Sequence, residues 1–118
     1  MKFWDSSALV PLVVEEPATS MVVELYGDDP LMLVWWGADV ECASALARLE
    51  RKHSLPADLL TRALPRLRSL KSAWQEIQPS EPLRETAIRL LRVHNLRAGD
   101  ALQLAAAIVA SEHRPFRP

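Results

Sequence analysis

An α/β fold built on a short parallel sheet is predicted by three observations. Short apolar segments alternate with longer stretches of helical periodicity. The apolar run over 31–36 is continuous and bounded by turn residues, the pattern of a strand covered on both faces. Asp5 directly follows the first apolar segment, at the end of a strand, where such sheets open their binding crevice. The 118 residues, 49% of them hydrophobic, suit one domain with a single core.

Taken in order, Phe3 and Trp4 form a very short first strand that Asp5 ends, and Ser6 and Ser7 open a helix over the apolar stretch 8–14. Glu15, Glu16 and Pro17 break that helix. A second one resumes over 19–26 and stops at Gly27-Asp28-Asp29-Pro30, before the buried strand 31–36 and Gly37. Residues 38–52 are rich in Ala, Leu, Arg and Glu, with Cys42, Ala45, Leu46 and Leu49 at helical spacing. A fourth helical pattern covers 58–70, where Pro65 is expected to kink the helix or split it in two. Alternation over 74–78 reads as a third strand, stopped by Pro79. Ser80 is a capping residue for an amphipathic helix over 83–94, and Leu96 is expected to turn inward. Asp100 then begins an alanine-rich apolar run over 101–110, which is expected to be a central, buried helix. The tail from His113 to Pro118, with two prolines and no periodicity, is expected to be linker-like or frayed.

The charge balance excludes some functions. Fourteen basic and 15 acidic residues give a net charge of -1, so the chain lacks the positive excess that drives non-specific nucleic-acid binding. A polyanionic partner must therefore meet a local basic surface. The single cysteine, Cys42, excludes an internal disulfide and a multi-cysteine zinc cage, and fits a reducing, cytoplasmic compartment. Lys2 and Asp5 interrupt the N-terminus too early for a secretory leader or a membrane span.

Asp5, Glu41 and Asp100 each stand where an apolar segment meets a helix start. Carboxylates are hard oxygen ligands of the kind magnesium and manganese take, together with water and a substrate phosphate. If several carboxylates were crowded and buried they would repel one another without a cation. With one, hydrolysis of a phosphodiester follows as the natural chemistry. Each acid also has a plainer reading: Asp5 caps the helix that starts at Ser6, Glu41 favours the helix dipole while Asp39 caps, and Asp100 is an N-cap or first-turn acid.

Phe3-Trp4-Asp5-Ser6-Ser7-Ala8-Leu9-Val10, then Val34-Trp35-Trp36-Gly37 leading to Val40-Glu41-Cys42-Ala43-Ser44-Ala45-Leu46-Ala47-Arg48, then Leu96-Arg97-Ala98-Gly99-Asp100-Ala101-Leu102-Gln103-Leu104-Ala105-Ala106-Ala107, together resemble a PIN-domain protein of the VapC toxin type. The resemblance runs along the chain in the family's order. It implies a three-layer α/β/α sandwich and a metal-dependent ribonuclease paired with an antitoxin that blocks its site. The family's first three acids fall on Asp5, Glu41 and Asp100, with Mg2+ or Mn2+ between them, and Ser6 or, preferably, Ser7 supplies its small polar residue. The family's fourth acid follows a later strand, and this sequence stops at Pro118 without it and without a final strand and helix. That departure is expected to weaken the second metal position, reduce or abolish catalysis, and invite homodimerisation or strand exchange.

Arg48, two turns after Glu41 on the same helical face, and Arg97, just before Asp100, are candidate phosphate contacts, against a plainer reading as solvated surface arginines. Arg62, Arg66, Arg68 and Lys71 form either a basic stripe for RNA or a wet helix face. Trp35 and Trp36 are adjacent in a strand and so face opposite sides, for core or dimer burial rather than base stacking. His53, His94 and His113 are too dispersed for a histidine metal site, and Cys42 reads as a small core residue. A non-catalytic module binding antitoxin or RNA is the competing class. A phosphoryl-transfer protein of the receiver or aspartate-phosphatase kind is disfavoured, because no lysine follows Lys71 and Ser7 stands where a second aspartate is needed.

Overall fold

A computed structural model describes residues 1–113; the tail over 114–118 lies outside the described residues. Three strands form one parallel sheet in the order β1 (Lys2–Trp4), β2 (Met32–Trp35), β3 (Gln75–Ile77). Helices α1 (Ser6–Val13) and α2 (Thr19–Asp28) connect the first pair, and α3 (Ala38–Arg51) and α4 (Ala57–Ala73) the second. Both crossovers step the same way across the sheet. Right-handed connections therefore place all four helices on one face. After β3, α5 (Glu81–Val93) and α6 (Ala98–His113) pack on each other, and α6 lies against β2, giving the three-layer α/β/α arrangement.

The register assigns the two faces. Trp4 pairs with Val34, and both are buried beneath the first four helices, where Trp4 meets Tyr26 of α2 edge-on at 6.4 Å. Phe3 pairs with Leu33 on the opposite face and borders α6. Leu9, Val13, Val34, Leu46 and Leu83 are sealed from solvent within one continuous cluster of buried residues.

The expected strand over 31–36 is shorter than its apolar run. Leu31 and Trp36 are 59% and 51% exposed, because pairing with the short outer strands covers only 32–35. Trp35 is buried and Trp36 faces out, their rings meeting edge-on at 6.4 Å. Pro65 neither splits nor ends α4, which is one continuous helix from Ala57 to Ala73. Ala63 and Leu67 on either side of it are buried against the core, and this packing outweighs the one backbone bond that proline removes. The helix over 101–110 buries a single face, through Ala101, Ala105, Ala106 and Val109, while Leu104 on the other side is 41% exposed. Ser80 caps α5, accepting from the Leu83 N–H at 3.3 Å, and Leu96 packs on the core. The stripe on α4 is partly spent on internal contacts. Arg66 donates to the Val13 carbonyl at 3.2 Å, and the Lys71 ammonium, held above its usual range by its bond to Asp39 at 2.8 Å, ties α4 to α3.

Gly37, between β2 and α3, has φ -87° and ψ 2°, values open to any residue. What requires glycine is a close approach. A Cβ there would stand 2.9 Å from Nε1 of the buried Trp35 indole. Gly37→Ala is therefore expected to push that indole from its place and cost about 1–3 kcal/mol. A lowered guanidinium midpoint with altered tryptophan emission is the readout; an unchanged midpoint would show that the ring yields freely.

Candidate functional site

Two adjoining cavities lie where β1 ends and where α3 and α6 begin. The larger, about 550 Å³, is bordered by Glu41, Arg48, Arg97 and Asp100 among others, and the smaller, about 300 Å³, by Asp5, Asp100 and Gln103. Ser6 and Ser7 border both. Three distant stretches of sequence thus meet here because parallel strands and right-handed crossovers bring the strand end and the two helix starts to one edge. Asp100 sits in the first turn of α6, so this helix start does face the same crevice as Asp5.

Asp5 caps α1. Its Oδ1 accepts from the Ala8 N–H at 3.1 Å and from the Ser7 hydroxyl at 2.8 Å, while among the described residues Oδ2 has no hydrogen-bond partner. The capping and ligand readings of Asp5 are therefore compatible, since the cap uses a single oxygen. Glu41 is similarly divided. Oε1 accepts from the Ser6 hydroxyl at 3.2 Å and from Nε2 of Gln103 at 3.0 Å. Oε2 stands beside Gly99, where a Cβ would lie 3.4 Å away, so the absence of a side chain there keeps that oxygen clear. Asp39 does not cap α3. Gly37 occupies that position without a side-chain bond, and the Asp39 carboxylate turns to Lys71 instead.

The three acids are not buried together. Asp5 and Asp100 are exposed and Glu41 is half-buried, each standing at or near a helix start where water and backbone dipoles stabilise a carboxylate. Among the described residues no three His, Cys, Asp or Glu side chains form a ready-made metal cage. Two of these acids, Glu41 and Asp5, also act on Cys42. Burial first, then the charges of Glu41, Asp39 and Asp5, push its thiol up to about 12, which leaves it a protonated core residue donating weakly to the Ser6 carbonyl.

Arg48 donates to Ser44 at 3.2 Å and borders the larger cavity with Arg97 and Lys52. Lys52 was legible as one further turn along the face of Glu41 and Arg48. Gln103 was not singled out either, although it is the lone polar side chain in the apolar run and lies three residues after Asp100, on the same face of α6.

Two relatives are similar to the chain in sequence: ribonuclease VapC45 of Mycobacterium tuberculosis strain CDC 1551 / Oshkosh and ribonuclease VapC49 of Mycobacterium tuberculosis strain ATCC 25618 / H37Rv. Each is 28% identical to the chain over 110 residues, covering 93% of it and 76% of the relative. The chain is similar to these two VapC ribonucleases along most of its length. No protein-family model matches it. The aligned 110 residues span most of the chain, so the similarity is not confined to one motif. Among the described residues no helix is long and apolar enough to cross a membrane.

Proposed function

We propose that this chain is a magnesium- or manganese-dependent endoribonuclease, the toxin of a toxin-antitoxin pair, acting in the cytoplasm as a homodimer that a cognate antitoxin blocks. The observation that carries the reading is the meeting of Asp5, Glu41 and Asp100, drawn from three distant segments, at two adjoining cavities with Arg48, Lys52 and Arg97 on the rim. The VapC relationship supports the choice of RNA.

The donor set fits a hard dication that keeps several waters. It is all oxygen, it leaves Oδ2 of Asp5 and Oε2 of Glu41 without protein partners among the described residues, and it surrounds open space, not a tight cage. Asp5, Glu41 and Asp100 would hold the ion. Bound there, such an ion neutralises charge on a phosphodiester and makes water more acidic. Ser7 fixes the rotamer of Asp5 by its 2.8 Å bond, so that the free oxygen stays turned from the cap. Arg48 and Arg97 can grip phosphate oxygens with two parallel N–H donors, and Lys52 adds a point charge.

A non-catalytic module is the second reading, favoured by the exposure of Asp5 and Asp100 and the lack of a three-group cage among the described residues. One experiment separates them. The purified chain is incubated with a mixed RNA pool and Mn2+, with and without EDTA, beside a calorimetric Mn2+ titration. Cleavage that EDTA abolishes and added Mn2+ restores is the expected result. Mn2+ binding with intact RNA would favour the module, and no binding would remove the metal reading.

A further inference from the structure

Gln103 is buried to 6% exposure inside an otherwise apolar helix face, and its amide is only half satisfied. Nε2 donates to Glu41 Oε1 at 3.0 Å. This bond also fixes which end of the amide is which, because a carboxylate can only accept. Oε1 must then point away from Glu41, and among the described residues it has no partner. An unpaired buried carbonyl oxygen is destabilising. A methionine or leucine in the same place would pack without that cost.

The surroundings supply a use. Gln103 borders the smaller cavity together with Asp5 and Asp100, two of the proposed ion-holding groups, and through Nε2 it touches the third, Glu41. Like Ser6, it borders the smaller cavity while bonding the carboxylate of the larger one. Ser6 and Gln103 together occupy Oε1 of Glu41, which leaves Oε2 as the oxygen available to a ligand. A neutral amide suits this position better than a charged one, since a second carboxylate at 3.0 Å would repel Glu41.

We infer that Gln103 is a positioning residue for a hydrated divalent cation: its N–H holds Glu41 in one orientation, with Oε2 turned free for the ion. The inference rests on the reading of Asp5, Glu41 and Asp100 as an ion site. Magnesium and manganese take carboxylate oxygens in near-ideal geometry, so a Glu41 held in one orientation suits either ion. Partners that hold a metal's ligands in place affect metal affinity by roughly 10–100-fold.

The test is Gln103→Met, which keeps volume and removes both hydrogen-bonding groups. Free Mn2+ is followed by electron paramagnetic resonance during titration of the full chain, and melting is measured in EDTA. Mn2+ binding is expected to weaken by roughly 10–100-fold while the melting temperature in EDTA stays level or rises. A residue serving packing alone would leave Mn2+ affinity unchanged, and that result overturns the inference. Should the methionine variant fail to fold, Gln103→Asn keeps the amide but cannot reach Glu41 and the cavity together; wild-type Mn2+ affinity in that variant would equally overturn it. If wild type binds no Mn2+, the ion-site reading and the inference both fall. If wild type binds Mn2+, Gln103→Met binds it weakly and RNA stays intact, the role of Gln103 stands and the nuclease reading fails.

Discussion

Glu41→Gln is expected to lower RNA cleavage by on the order of a hundredfold to a thousandfold while leaving the fold intact. The substitution preserves shape, so its effect isolates one oxygen. In the native chain both protein hydrogen bonds go to Oε1, from Ser6 and Gln103. A glutamine must choose between two poor arrangements. With its oxygen kept on Ser6 and Gln103, its NH2 replaces Oε2 and turns donors toward the place a cation would occupy. With the amide reversed, NH2 meets the Nε2 donor of Gln103, and a buried bond is lost at about 1–3 kcal/mol. Single-turnover cleavage across a Mn2+ series, with a melting curve on the same sample, reads the outcome. A cleavage rate equal to wild type would show that Glu41 takes no part in the chemistry.

Leu46→Ala is expected to destabilise the chain by about 2–5 kcal/mol, at the top of the range for a single side chain. Leu46 lies on the inner face of α3 with no solvent exposure, and α3 is packed between α1 and α4. Removing its branched end empties a space that core residues such as Leu9 and Val13 of α1 and Ala63 of α4, each held in place by its helix, cannot all move to fill. For a domain with total stability of about 5–15 kcal/mol this is a large share, and the melting temperature should drop by about 10 °C or more. Val93→Ala is the control, because that side chain is 75% exposed, and it should change stability by no more than about 0.5 kcal/mol. A Leu46→Ala melt matching that control would mean the core around α3 collapses onto the gap.

Most element positions were legible because their signals are local. Asp5 caps α1 from the position next to its first serine, Ser80 caps α5, and the spacing of Cys42, Ala45, Leu46 and Leu49 sets the buried face of α3. The errors arose where neighbours decide. Leu31 and Trp36 are as apolar as a strand interior, yet short partner strands leave them exposed. Pro65 breaks helices in isolation, but Ala63 and Leu67 anchor both sides of it. Nothing in the order of residues could show that Gln103 reaches Glu41, 62 positions earlier.

The sequence alone determined the alternation of strands and helices, the helix ends at Ser6 and Ser80, and the identities of the three acids, because periodicity and capping depend on residues within a few positions of one another. Tertiary structure decided which oxygen of each acid is taken and which is left, that Gly99 leaves room beside Glu41, and that Gln103 stands half-satisfied beneath the carboxylates. These are distances between side chains brought together only by the crossovers, and a hydrogen bond is won or lost over less than an ångström.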